Sequence, residues 1–215
     1  MQPPRRPLAA RQSTWAQALA RALTRRGVAP NAISVTSLAF SIVAAIALEQ
    51  SGAAIGLARA TLLIVSAVCI QLRLLCNLLD GMVAIEGGRR TPYGEIFNDM
   101  PDRFADLAIL VAAGYAIPAI SFGAELGWVA GVLAVLTAYV RLLGGSMGAQ
   151  QYFVGPMAKQ QRMAVITAAC VLSTLEPLAG WHGQVLACAL VIVIVGSIVT
   201  LVRRTAKIVA EVNSR

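Results

Sequence analysis

Apolar stretches long enough to cross a bilayer recur six times along this chain, near residues 32–50, 60–85, 95–120, 127–148, 160–179 and 183–203. A spanning helix needs about 20 predominantly apolar residues. With hydrophobic residues at 58%, charged residues at 13% and a mean hydropathy of +0.72, an ordinary soluble domain is excluded. The expected fold is an all-α membrane protein, with six transmembrane helices in one domain spanning 32–204. Pro30-Asn31 marks the start of the first span, because proline disfavours helix in the residue before it.

Charge distribution sets the orientation. The net charge is +8, but the cations are segregated. Arg5, Arg6, Arg11, Arg21, Arg25 and Arg26 precede the first span. Arg89, Arg90, Arg141, Lys159, Arg162, Arg203, Arg204, Lys207 and Arg215 fall in or beside alternate connections and the tail. The remaining connections hold Glu49, Glu125, Glu176 and His182, with Arg59 as their one cation. This positive-inside pattern puts both termini in the cytoplasm. The basic face then meets anionic membrane lipid rather than nucleic acid, at about 1 kcal/mol per Lys or Arg. Cys69, Cys76, Cys170 and Cys188 show no ligand spacing and sit in apolar stretches, as small hydrophobes do.

Residues 1–31 form an N-terminal region of two parts. A Pro- and Arg-rich arm covers 1–11 and has no apolar core after its charges, so it is no cleavable signal peptide. From Gln12 to Arg26 the pattern is that of an amphipathic helix, capped at Ser13, with Trp15, Leu19 and Leu23 on one side and arginines on the other. Such a helix lies in the membrane interface. Residues 205–215 are expected as a cytoplasmic tail.

The second and third spans break the apolar rule. Asn77, Asp80, Gly81 and Ala84 share one helical face, as do Gly94, Asn98 and Asp102. A charge near the bilayer centre costs roughly 2.5–3.5 kcal/mol on insertion scales. Polar stripes at such depth persist where they face a bundle interior, a wet cavity or an ion. The simplest alternative is that Asn77 and Asp80 only join helices by hydrogen bonds. Pro101 removes a bond to the Phe97 carbonyl and would open space around Asn98 and Asp102.

The full spacing, at positions 77, 80, 81, 84, 85, 94, 98 and 102, resembles the CDP-alcohol phosphatidyltransferase motif D-x2-D-G-x2-A-R-x8-G-x3-D-x3-D. Asp80, Gly81, Ala84, Gly94 and Asp102 match it by identity. Six spans, a basic interfacial helix and the Pro-Asn pair extend the resemblance over nearly the whole chain. What the resemblance implies is a transferase of phospholipid biosynthesis in the bacterial inner membrane, multi-pass and homodimeric. It would move a phosphatidyl-type group from a CDP-linked lipid to a hydroxyl acceptor and release CMP. Metal ligands would be Asp80, Asp102, Asn77 and Asn98, holding Mg²⁺ or Mn²⁺. The CDP moiety would lie on Asn77, Asp80, Gly81, Ala84 and Gly94, with Asp102 as general base.

Three positions depart from the motif. Asn77 and Asn98 stand where it has aspartates, and Ile85 where it has arginine. An amide oxygen can ligate Mg²⁺ but brings no charge, so Asp80 and Asp102 together balance one divalent ion rather than two. Magnesium is commonly held by one or two carboxylates plus substrate phosphates and water. Glu86, Glu95, Asp99 or Asp106 could complete the set. Asp106, one turn beyond Asp102, is either that spare ligand or a partner of Arg73 or Arg103. Arg89 and Arg90 either cover for the missing arginine or serve topology alone.

A second basic group follows the fourth span: Arg141, Lys159 and Arg162. It resembles the family's acceptor-phosphate site, and Lys159 and Arg162, three residues apart, share a face. Two rival readings of the chain remain. One is a degenerate relative that binds CDP-lipid or phospholipid as a scaffold or sensor. The other, a small transporter, is disfavoured because the carboxylates sit at helix ends and no internal repeat is visible.

Overall fold

The computed structural model describes residues 13–86 and 94–214, with the side chains at 86, 94, 95, 97 and 98 outside the description. The described residues form an all-helical bundle: α1 (Thr14–Arg25), α2 (Pro30–Ala53), α3 (Gly56–Glu86), α4 (Gly94–Tyr115), α5 (Gly123–Ser146), α6 (Lys159–Ser173) and α7 (Gln184–Asn213). A 3₁₀ turn, Glu176–Ala179, separates the last two. The N-terminal arm, Arg89 and Arg90 lie outside the described residues.

Local chemistry explains the first corner. Gly27 has φ +72°, and its N–H donates to the Thr24 carbonyl while that of Val28 donates to Leu23. This is a Schellman ending, which needs a left-handed residue and so favours glycine. Pro30 then occupies the first turn of α2, where a missing N–H costs nothing.

From α2 onward the chain runs up and down. α2 packs on α3 and α4, α4 on α5, α5 on α7, α3 on α6, and α6 on α7. The main core is aliphatic and small, with Leu48, Leu63, Ile70, Ile109, Leu110, Met163, Ile166, Leu186 and Leu190 at its centre. Glycine permits the closest approach. A Cβ on Gly127 would stand 2.8 Å from the Leu110 carbonyl oxygen, and one on Gly114 would stand 2.6 Å from that of Gly123. Gly123, Gly127 and Gly131 thus form a small-residue ridge on α5 that seats α4.

Four of the described helices are long and apolar enough to cross a membrane: α2, α3, α5 and α7. The other two expected spans differ for separate reasons. α4 has 22 residues but carries Asp99, Asp102, Arg103 and Asp106. α6 stops at Ser173 after 15 residues, roughly 22 Å at 1.5 Å per residue, against a hydrocarbon core of about 30 Å. α7, expected to end near residue 203, continues to Asn213 and takes in most of the expected tail.

In α1 the expected apolar face is divided. Ala16 and Ala20 are the residues buried against Leu78, Leu79, Met82 and Val83 of α3, with Leu23 packed beside them. Trp15 and Leu19 stay exposed. Small residues make the seam because they let α1 lie close to α3.

Two ion clusters occupy opposite ends of the bundle. Away from the termini, Arg59 reaches from α3 to the Ser51 carbonyl at 2.7 Å and the Ala116 carbonyl at 3.3 Å, with Glu176 at 3.6 Å. Glu176 in turn accepts the backbone N–H groups of Gly183 and Val185, both at 2.8 Å, at the start of α7. The second cluster lies at the end that carries the first and last described residues.

Candidate active site

Four helices converge there. α3 brings Arg73, Asn77 and Asp80 on successive turns of one face, and α4 brings Asp102 and Asp106 one turn apart. α6 opens with Lys159 and carries Arg162 a turn deeper, while α2 supplies Ser34 and Ser37. A small cavity is lined by Ser34, Ser37, Leu38, Asn77, Pro101, Asp102 and Ala105. Pro101 stands inside α4 and on the cavity wall, in keeping with the space expected around Asp102.

Asn77 is the hub. Its Oδ1 lies 2.6 Å from the Ser37 hydroxyl, and its Nδ2 donates to Asp102 Oδ1 at 2.5 Å. A carboxylate only accepts, so the amide nitrogen must face Asp102. Aspartate at 77 would set two negative groups face to face unless a cation lay between them. Asparagine turns that repulsion into a hydrogen bond. Asp102 also meets Arg73 Nη2, 3.5 Å from Oδ1, and Lys159, whose ammonium bonds Oδ2. Both of its oxygens therefore face protein donors.

Asp106 lies deeper, between two guanidinium groups. Arg73 Nη2 is 2.6 Å from Oδ1 and Arg162 Nη2 is 2.8 Å from Oδ2. All three side chains are almost wholly buried. Of the two roles open to Asp106, the geometry is that of an arginine partner, with Arg162 taking the place expected of Arg103. Arg103 instead pairs with Asp99 at 2.5 Å, and Arg141 reaches the same Asp99 oxygen at 3.2 Å while stacking over Phe153. Lys159 and Arg162, which share a face of α6, bond two different carboxylates, Asp102 and Asp106.

Asp80 differs from the other acids. It is 2% exposed, its Oδ2 accepts from Ser34 at 2.9 Å, and its Oδ1 has no hydrogen-bond partner among the described residues. A buried carboxylate oxygen without a donor is costly, and a cation would satisfy it. Among the described residues no three His, Cys, Asp or Glu side chains group to hold a metal. The described donor set therefore fits a divalent ion at Asp80, completed by substrate oxygens and water.

Gly81 lies beside Asp80, and a Cβ there would meet nothing among the described residues within 4 Å. Packing among the described residues does not require this glycine, and the open space suits a ligand lying against the backbone. Ala84 follows on the same face, half-buried. The side chains at Gly94 and Asn98 fall outside the description. Sequence reasoning missed Ser34 and Ser37, which hold Asp80 and Asn77. Ser34, Ser37 and Ser41 form a polar stripe on an apolar helix, and that spacing was the available signal.

The approach to Lys159 is strapped down by α7. Thr200 Oγ1 accepts the Met157 N–H at 2.9 Å, and Arg204 Nε donates to the Val154 carbonyl at 3.0 Å. Arg204 Nη1 also reaches the Thr137 carbonyl on α5 at 2.5 Å. Lys207 lies over the Tyr152 ring, and Glu211 accepts from the Gln150 N–H and the Tyr152 hydroxyl.

No family model and no curated protein sequence matches this chain. Solved structures do. The fold is that of a Mycobacterium tuberculosis phosphatidylinositol phosphate synthase. Against that enzyme with CDP-DAG bound, the TM-score is 0.74 at 20% identity, covering 91% of this chain and 94% of the other. Its complex with manganese and citrate gives 0.74 at 20% identity over 90% and 88%. The apo form gives 0.71 at 21% identity over 88% and 94%.

Proposed function

We propose that this protein is a CDP-alcohol phosphatidyltransferase. It would transfer a phosphatidyl-type group from a CDP-linked lipid, such as CDP-diacylglycerol, to a hydroxyl acceptor. The observation that carries the reading is the joining of the motif residues Asn77 and Asp102 on the wall of one cavity, with Asp80 bonded to Ser34 of the same wall, in a fold shared with an enzyme solved with CDP-DAG bound.

In this reaction the acceptor oxygen forms a bond to the lipid-bearing phosphorus, and the bond from that phosphorus to the CMP oxygen breaks. CMP leaves with the electron pair. Asp102 takes the hydroxyl proton, as a general base within hydrogen-bond reach of the acceptor. Asn77 and Arg73 hold the Asp102 carboxylate in place. Gly81 and Ala84 leave room for the cytidine diphosphate, and Gly94 would join them. A divalent ion, Mg²⁺ or Mn²⁺, supplies charge neutralisation on the diphosphate. Asp80 is its first protein ligand, and Asn77 and Asn98 are amides within the same motif. On the acceptor side, Lys159 has three N–H donors, so it can bond an acceptor phosphate while keeping Asp102. Arg141, Arg162, Arg89 and Arg90 add positive potential.

The same reading takes α4 and α6 as the remaining two of six spans, α1 as an interfacial helix and the enzyme as a homodimer of the bacterial inner membrane. Charge segregation supports cytoplasmic termini. Ser146→Cys and Ser121→Cys in a cysteine-free background would then label from opposite sides, and labelling of both from outside would overturn that topology.

The decisive experiment follows CMP release by the purified protein in lipid, with CDP-diacylglycerol and a panel of acceptors that includes glycerol phosphate, inositol phosphate and serine. Release with one acceptor, lost in Asp102→Asn, is the expected result. Donor affinity without release under any acceptor would favour the second reading, a binder without turnover, which the donors capping Asp102 also suit.

A further inference from the structure

We infer that Lys159 replaces a second divalent ion in this chain. Its ammonium holds Asp102, so that Asp102 is not a metal ligand and the site takes one divalent ion, at Asp80. The inference deepens the transferase reading and rests on it for the identity of the donor.

The argument starts from the two acidic side chains of the motif. Asp80 presents a buried oxygen with no donor, which is what a cation needs. Asp102 presents none. One of its oxygens receives the Asn77 amide at 2.5 Å with Arg73 behind it, and the other receives Lys159. At Asp102 each oxygen already accepts a protein donor, and the cationic groups of Lys159 and Arg73 beside it repel a divalent ion. The second lone pair of Oδ2 stays open, which suits the neutral acceptor hydroxyl better than an ion beside an ammonium.

Residue 77 and residue 159 act together in this arrangement. A four-carboxylate site needs two divalent ions to offset four negative charges. Asparagine at 77 removes one charge and donates to Asp102, and the ammonium of Lys159 neutralises Asp102. Deeper in the bundle, Asp106 shows the same device with guanidinium groups. The chain therefore carries much of its counter-charge covalently, in side chains that cannot diffuse away.

Metal counting tests this without reference to turnover. The full chain in lipid nanodiscs is titrated with Mn²⁺ alone and again with CDP-diacylglycerol present, and the free-ion electron paramagnetic resonance signal gives the number bound. One ion per chain in both series is the expected result. Asp102→Asn should keep that ion with affinity changed by less than about threefold, whereas Asp80→Asn should lose it. Asn77→Asp/Lys159→Met, which restores a carboxylate and removes the ammonium, should bind two.

Two ions in the native chain, none in either series, or loss of the ion in Asp102→Asn would each overturn the inference. The native count and the Asp102→Asn result decide the matter should the double variant not fold. Failure here is separable from failure of the transferase reading. Two ions with CMP release ends this inference alone, and one ion without any interaction with CDP-diacylglycerol ends the transferase reading alone.

Discussion

Among the described residues the bundle holds two buried ion clusters, and they differ in how completely they are satisfied. The cluster around Arg59 and Glu176 ties three chain segments to the start of α7, and neither residue contributes to the buried side-chain atoms that lack partners. The cluster around Asn77 leaves Asp80 Oδ1, Arg73 Nε and Nη1, and Arg162 Nε without partners. Unsatisfied buried polar atoms cost stability, so a cluster built only to join helices should resemble the first. The second keeps bonding capacity in reserve, as a site does when a charged ligand completes it.

The comparison breaks or sharpens with four measurements. The largest effect is expected in turnover. Asp102→Asn should lower CMP release by roughly 10²–10⁴-fold, the usual cost of removing a general base, while Glu176→Gln leaves the rate per folded molecule unchanged. Equal losses in both would erase the distinction between the clusters.

Next comes stability at the buried centre of the site. Asp106→Ala leaves Arg162 without a counter-ion and Arg73 with only its longer contact to Asp102, and should cost about 3–5 kcal/mol, read from thermal or denaturant unfolding in mild detergent. A loss below 1 kcal/mol would mean that water or lipid phosphate already reaches the pair. At the other cluster, Glu176→Gln keeps the shape and some hydrogen bonds, and should cost about 1–3 kcal/mol with cytidine nucleotide affinity unaltered. A tenfold change in that affinity would couple the two ends of the bundle.

The smallest stability effect separates two glycines. Gly127→Ala drives a Cβ against the Leu110 carbonyl oxygen and should destabilise by about 1–3 kcal/mol. Gly81→Leu enters open space and should leave the unfolding midpoint within a few degrees while abolishing cytidine nucleotide binding. Native nucleotide affinity in Gly81→Leu would move the donor pocket off α3.

Hydropathy made the helices legible, because a bilayer-length run of apolar residues admits few folds. It misjudged α6, whose apolar content continues past Ser173 although the chain turns there toward Pro177 and the Glu176 clasp. Pro177 lacks the N–H that would bond the Ser173 carbonyl, and hydropathy does not register that loss. The motif stripes on α3 and α4 were legible because helical spacing alone puts 77, 80 and 81, or 98 and 102, on one side. The partners of those stripes were not. The spacing of Ser34, Ser37 and Ser41 marks a polar stripe on α2, but which residues of α3 it meets shows only when the two helices are laid together. Lys159 and Arg162 share a face, yet the turn between them matches the turn between Asp102 and Asp106 on α4, so each cation finds its own carboxylate.

The strap on residues 150–157 has a consequence for biogenesis. Lys159 follows a segment held by Thr200, Arg204 and Glu211, while Asp80 is held by Ser34 from the first long helix. The two halves of the site are therefore secured by segments separated by most of the polypeptide. A nascent chain with only its early helices in the bilayer has the acidic stripe and no fastened ammonium opposite it. Competence thus arrives late in synthesis, when α7 locks the loop. Until then a partly inserted chain lacks the paired acidic and basic side chains that the folded bundle brings together.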